Sequence, residues 1–132
     1  MKSSHKFSIA LLAGLLAGAA VDRAIHGQQV KPTPVYVISE ADTIADPAAI
    51  RDYGSKVRAT FAPFEGHYHF VVAGGKTERL DGGTPPEGIV VIAFDGSEAA
   101  HAWYNSPAYA AIRPIRQAAE KGRMFIVEGV AP

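Results

Sequence analysis

The sequence contains no cysteine. That absence removes disulfides, thiolate catalysis, cysteine-ligated zinc and iron–sulfur clusters from consideration. It also removes a lipoprotein anchor, which needs a cysteine just behind a signal segment. Surplus charge is missing too: 13 Lys and Arg stand against 13 Asp and Glu. No basic excess supports a nucleic-acid partner, and no block of like charge marks an interaction tail. Serines are scattered and none sits in a nucleophile elbow. The glycines at 74–75 and 82–83 lack the strand–loop–helix order of a phosphate cradle, so they read as turn geometry. What remains is 132 residues with 48% hydrophobic content, enough for one domain with a packed core.

The N-terminus has the three parts of a secretory signal. Lys2, His5 and Lys6 form a basic start, Phe7 to Val21 is uncharged and rich in Leu, Ala and Gly, and Ala17-Gly18-Ala19 supplies an A-x-A-like site. The run is short of the roughly 18–20 apolar residues of a membrane span. Residues 1–28 are therefore expected to be a signal peptide and leader remnant, with 29–34 as an arm and the folded domain over 35–132. A periplasmic or secreted protein follows from that reading, with no membrane attachment once the signal is cleaved.

From Val35 onward the periodicities alternate between strand and helix. Val35 to Ile38 is a β-rich run edged by Pro34 and by Glu40-Ala41-Asp42. Asp46-Pro47 starts a helix with a cap and a first-position proline. Ile50, Tyr53, Val57 and Phe61 recur on one of its faces, Gly54 on that side suggests close packing, and Pro63 stops it. His67 to Ala73 alternates with period two, placing Tyr68, Phe70 and Val72 on one face and His67, His69, Val71 and Ala73 on the other. Ile89 to Phe94 is apolar throughout. A helix follows near Asp95 or Ser97, with Glu98 completing a capping box, and Ser106-Pro107 restarts it. Pro114 is expected to kink this segment and Gly122 to cap it before a last strand, Met124 to Val127.

The order β-α-β-β-α-β is the ferredoxin-like split unit, an α+β fold with both helices on one face of a four-stranded antiparallel sheet. Yet the strand at 89–94 is apolar on both faces, as strands buried on both sides are. A second copy of the same sheet is the simplest cover, so a homodimer with facing sheets, a dimeric α/β barrel, is expected.

Three groups of residues carry candidate chemistry. His67 and His69 share one strand face about 6.6–7 Å apart, close enough for acid–base work near neutral pH or for one shared metal ion, with His101, Glu65 or Asp95 as third ligand. Trp103, Tyr104 and Tyr109 flank the helix break at Asn105-Ser106-Pro107 and serve equally as core or as the flat wall of a small-molecule pocket. Arg113 and Arg116 share a helix side, and Glu120 lies four residues beyond Arg116, which suits an ion pair or an anion clamp.

The chain also resembles a bacterial family, domain of unknown function 1330. The likeness rests on Val35-Tyr36-Val37-Ile38, Gly74-Gly75-Lys76, Val90 to Asp95, Ala102-Trp103-Tyr104-Asn105-Ser106-Pro107-Ala108-Tyr109, Arg116 and Val127-Glu128-Gly129. It implies the dimeric α/β-barrel group, whose members include cofactor-free monooxygenases and isomerases. The chain departs from the family in strand two, where His69 and Ala73 stand in place of basic residues. Together these readings give a homodimer binding a small apolar or aromatic ligand without a cofactor. The expected catalytic residues are His67 and His69, and the expected contact residues are Tyr53, Trp103, Tyr104, Tyr109 and Arg116. The alternatives are a non-catalytic envelope protein and a histidine-based metal or haem binder.

Overall fold

The computed structural model describes residues 30–132, so the expected signal and leader over 1–28 lie outside the described residues. Strand β1 spans Val35–Ile44. Helix α1 spans Pro47–Val57 and runs on as a 3-10 segment, Arg58–Phe64. β2 (Tyr68–Ala73), β3 (Gly88–Phe94), α2 (Ser97–Tyr104), α3 (Pro107–Ala119) and β4 (Glu120–Glu128) complete the chain. All strand pairings are antiparallel and the sheet order is β2-β3-β1-β4. This is the expected ferredoxin-like α+β arrangement, with the second helical arm divided into α2 and α3 at Asn105-Ser106.

Two helix starts follow directly from capping chemistry. The Asp46 carboxylate accepts from the Ala49 amide at 3.0 Å, and Ser106 Oγ accepts from the Tyr109 amide at 3.2 Å. Each satisfies an amide that the first helical turn leaves without a partner. The capping box expected at α2 does not form. Gly96 occupies the cap without a side-chain bond, because the Asp95 carboxylate lies 2.8 Å from His67 Nδ1 across the ends of β2 and β3.

Other expected boundaries move for identifiable reasons. β1 continues to Ile44 through a polar stretch whose side chains are paired across strands: Arg123 on β4 meets Glu40 at 2.6 Å and Asp42 at 3.2 Å. β4 starts at Glu120, so Gly122 is a strand residue and not a helix cap. A Cβ there would overlap the Glu40 carbonyl oxygen and stand 2.9 Å from Ala41 Cα, so glycine is what lets β4 approach β1. The chain passes Pro63 in the 3-10 segment instead of stopping there, and this segment buries Thr60 and Phe61. α3 runs unbroken through Pro114.

The helices cover the sheet face carrying Val35, Val37, Ile92 and Phe94, which pack with Phe61, Trp103 and Tyr109. Trp103 stacks on Phe61 (ring centroids 4.7 Å apart) and its indole N–H donates to Thr60 Oγ1 at 3.0 Å. Among the described residues nothing covers the opposite sheet face. Register aligns Val91, Ile38 and Phe125 in one row and His69, Ala93, Tyr36 and Val127 in the next. On it Phe125 and Val127 remain 40% and 42% exposed.

Candidate ligand-binding site

A cavity of about 400 Å³ lies between α1 and the covered face of the sheet. Its existence follows from side-chain size. Ser39 and Ala41 on β1, Gly88 on β3 and Ala73 on β2 leave the sheet shallow opposite α1. On α1, Gly54 faces the same space, and nothing lies within 4 Å of where its Cβ would stand. The expectation that Gly54 marks close packing is thus reversed: it keeps a hollow open. A register shift between Phe70 and Val72 pairs Ala73 with Val90, and both line the cavity. The bulge therefore overrides the strict alternation that would place Ala73 on the outer face. Ile50, Val57, Phe70 and Ile92 make the walls apolar.

Three polar groups, Tyr53, Arg116 and Glu120, gather at the buried end. Arg116 is only 7% exposed. Its Nη1 donates to Glu120 Oε1 at 2.9 Å, an i,i+4 pair from the end of α3 to the first residue of β4. Arg116 Nε is buried without a partner. Tyr53, from α1, has its hydroxyl 3.1 Å from that of Tyr109, and Tyr109 in turn points at Met124 Sδ at 3.9 Å. Burial pushes the Tyr53 hydroxyl far above the ordinary tyrosine range, and Tyr109 adds to the shift. Burial works against the charge on Arg116, but the Glu120 hydrogen bond and the neighbouring tyrosines more than offset it, so its pKa rises on balance. The result is a fixed cation beside a neutral phenol.

At the open end stand Arg58, which lies over the Phe70 ring at 5.6 Å, and Glu87, whose carboxylate accepts from the Ile44 amide at 2.7 Å. Both cavity carboxylates, Glu87 and Glu120, therefore already hold a donor. The arrangement is equipped to hold and orient a molecule by hydrogen bonds.

Of the residues singled out by sequence, Tyr53, Trp103 and Arg116 line the cavity. Tyr109 stands behind Tyr53 and braces it. Trp103 and Tyr109 are fully buried, so most of their surface serves the core. Tyr104 lies elsewhere, beneath the Arg113 guanidinium at 4.6 Å, and with His101 lines a separate groove along β4. Arg113 is spent on Tyr104, donating to its carbonyl at 3.2 Å. His67 precedes β2 and is exposed beside Asp95, and His69 is exposed in the row of the uncovered face. Neither lines the cavity, because period-two alternation turns them away from the helices. Among the described residues no group of three or more His, Asp or Glu side chains is placed to share a metal ion. Sequence reasoning named Glu120 as a partner of Arg116 but did not place the pair in a cavity. Gly54 and Met124 went unrecognised as cavity residues, and only the hollow opposite α1 reveals them.

The family model for the domain of unknown function (DUF1330) matches residues 34–130. No curated protein matches the chain. Among solved structures, a protein of unknown function from Rhodopseudomonas palustris is 18% identical with a TM-score of 0.60, covering 86% of this chain and 94% of that one. A dimeric ferredoxin-like protein of unknown function from Thermobifida fusca is 18% identical with a TM-score of 0.51, covering 80% and 96%. SnoaB, a cofactor-independent oxygenase from Streptomyces nogalater, is 14% identical with a TM-score of 0.51, covering 76% and 96%. At such identities the likeness is one of fold.

Proposed function

Since the chain belongs to the domain of unknown function 1330 family, whose name carries no activity, we propose a role for it from the cavity: it binds a small, largely apolar or aromatic molecule between α1 and the sheet. The observation that carries this reading is the shape and lining of that space. It is an apolar hollow of about 400 Å³, within the size range of small-molecule sites, with Tyr53, Arg116 and Glu120 grouped at its buried end and Arg58 and Glu87 at its open end. Well-packed cores leave few voids of this size, since each forfeits dispersion contacts along its lining. The name of the S. nogalater protein brings cofactor-independent oxygenation to this chain only as a candidate chemistry for the bound molecule.

Two further parts of the proposal concern setting. The basic, apolar and small-residue segments at the N-terminus support export and cleavage. Intact-mass measurement of periplasmic protein should then show a loss of about 19–28 residues, and a full-length chain in the membrane fraction overturns it. The sheet face that no described residue covers, with Phe125 and Val127 of β4 40% and 42% exposed on it, supports a homodimer closed through that face.

The cavity reading is tested at Gly54. Leucine at this position enters open space and replaces a poor helix former, worth about 1 kcal/mol in the helix. Gly54→Leu should therefore keep or raise the unfolding midpoint while abolishing uptake of acetophenone in equilibrium dialysis. Undiminished uptake by a folded Gly54→Leu protein would show that the molecule sits elsewhere.

A further inference from the structure

We infer that the cavity selects a neutral ligand bearing a single carbonyl-type oxygen on an apolar ring or chain, and discriminates against carboxylic acids. The inference rests on the cavity reading and follows from counting donors and charges at the buried end.

Donors come first. Arg116 lines the cavity, and of its guanidinium nitrogens Nη1 goes to Glu120 while Nε has no acceptor. The two tyrosine hydroxyls are 3.1 Å apart and share one hydrogen bond. When Tyr109 donates in that bond, the Tyr53 proton is unspent, and Tyr53 is the member of the pair that lines the cavity. The competing acceptor for Tyr109 is the Met124 thioether at 3.9 Å, a weak one. On the cavity side the buried end thus holds an unspent donor, the Tyr53 hydroxyl, and its nearest acceptor, the Glu120 carboxylate, already takes a charged hydrogen bond from Arg116. Arg116 Nε is sealed off from the cavity, so the Tyr53 hydroxyl is the donor an incoming oxygen can reach, and pairing it is favourable.

Charge decides which oxygen. Arg116 and Glu120 side chains are only 9% and 8% exposed, and each neutralises the other. A ligand carboxylate would set two anions against one guanidinium out of contact with water. The extra charge would then be buried without compensation, which outweighs a hydrogen bond. Glu87 and Arg58 both stand exposed at the open end, where solvent screens them and their opposite charges offset each other. A ketone or similar neutral acceptor takes the same donor and adds no charge.

Three ligands of one size separate the possibilities: acetophenone, benzoate and ethylbenzene, titrated against the full chain by equilibrium dialysis at neutral pH. Acetophenone should bind about tenfold more tightly than either of the others. Tyr53→Phe should cut its advantage over ethylbenzene. Arg116→Met alone strands Glu120 and can fail to fold, so the companion variant is the double change Arg116→Met, Glu120→Leu, which removes both charges together. That variant keeps the Tyr53 hydroxyl, so it should still prefer acetophenone to ethylbenzene, and loss of that preference overturns the assignment of the donor to Tyr53. Benzoate binding as tightly as acetophenone overturns the charge argument and leaves the cavity reading standing. Equal affinity for acetophenone and ethylbenzene in the unmodified chain overturns the donor argument. Binding of none of the three removes the cavity reading, and this inference with it.

Discussion

Replacing Arg116 with methionine should be among the most destabilising single substitutions in the domain, and replacing Glu120 as well should restore most of the loss. The pair is separated by 2.9 Å with both side chains less than a tenth exposed. At an effective dielectric of about 20, the gross attraction at that distance is roughly 6 kcal/mol. Desolvation of the two ions offsets much of that, so the pair's net contribution is small and the danger lies in breaking it. Removing Arg116 leaves the Glu120 carboxylate beside an apolar cavity with no cation, at a cost of about 3–5 kcal/mol. Against a typical domain stability of about 5–15 kcal/mol, that change brings the protein near or past its unfolding threshold. The double variant Arg116→Met, Glu120→Leu has no stranded charge and should lie within about 1–2 kcal/mol of the parent. Urea unfolding followed by far-UV circular dichroism measures all three proteins, and the coupling energy follows from the cycle. A loss below about 1 kcal/mol for Arg116→Met would show that water reaches Glu120 freely and that the buried end is not dry. The account of ligand selection given above would then lose its foundation.

The raised pKa of the Tyr53 hydroxyl has a definite sign in stability. The folded state keeps this proton at pH values where the unfolded chain releases it, so stability is full below about pH 10 and falls above it. Above about pH 10 the slope from this group approaches about −1.4 kcal/mol per pH unit, and Tyr53→Phe should remove that component from urea midpoints measured between about pH 10 and 11; an unchanged slope contradicts burial of the phenol. On the uncovered sheet face, Val127→Glu should convert a dimer into a folded monomer by sedimentation analysis, since Val127 points away from the core. A monomeric parent at micromolar concentration removes the homodimer proposal.

Local chemistry alone determined much of this protein. The caps at Asp46 and Ser106 and the apolar run at 89–94 act within a few residues of themselves, and the element order they produce leads to the ferredoxin-like sheet. Arg116 and Glu120 were legible as partners because four residues on a helix bring side chains together. The histidines illustrate the limit: alternation put His69 on the face opposite Tyr68 and Phe70, but only the packed structure showed that, among the described residues, no helix covers that face. The extent of β1 and β4 was decided in three dimensions as well. Polar Glu40 and Asp42 are strand residues because Arg123 arrives from the other end of the chain, and Gly122 permits that approach by lacking a Cβ. The cavity belongs wholly to the tertiary level. It is the space left where small residues of β1, β2 and β3 face a glycine on α1. A void formed by absent side chains has no periodicity in the sequence, because it depends on which small residues the fold sets opposite one another.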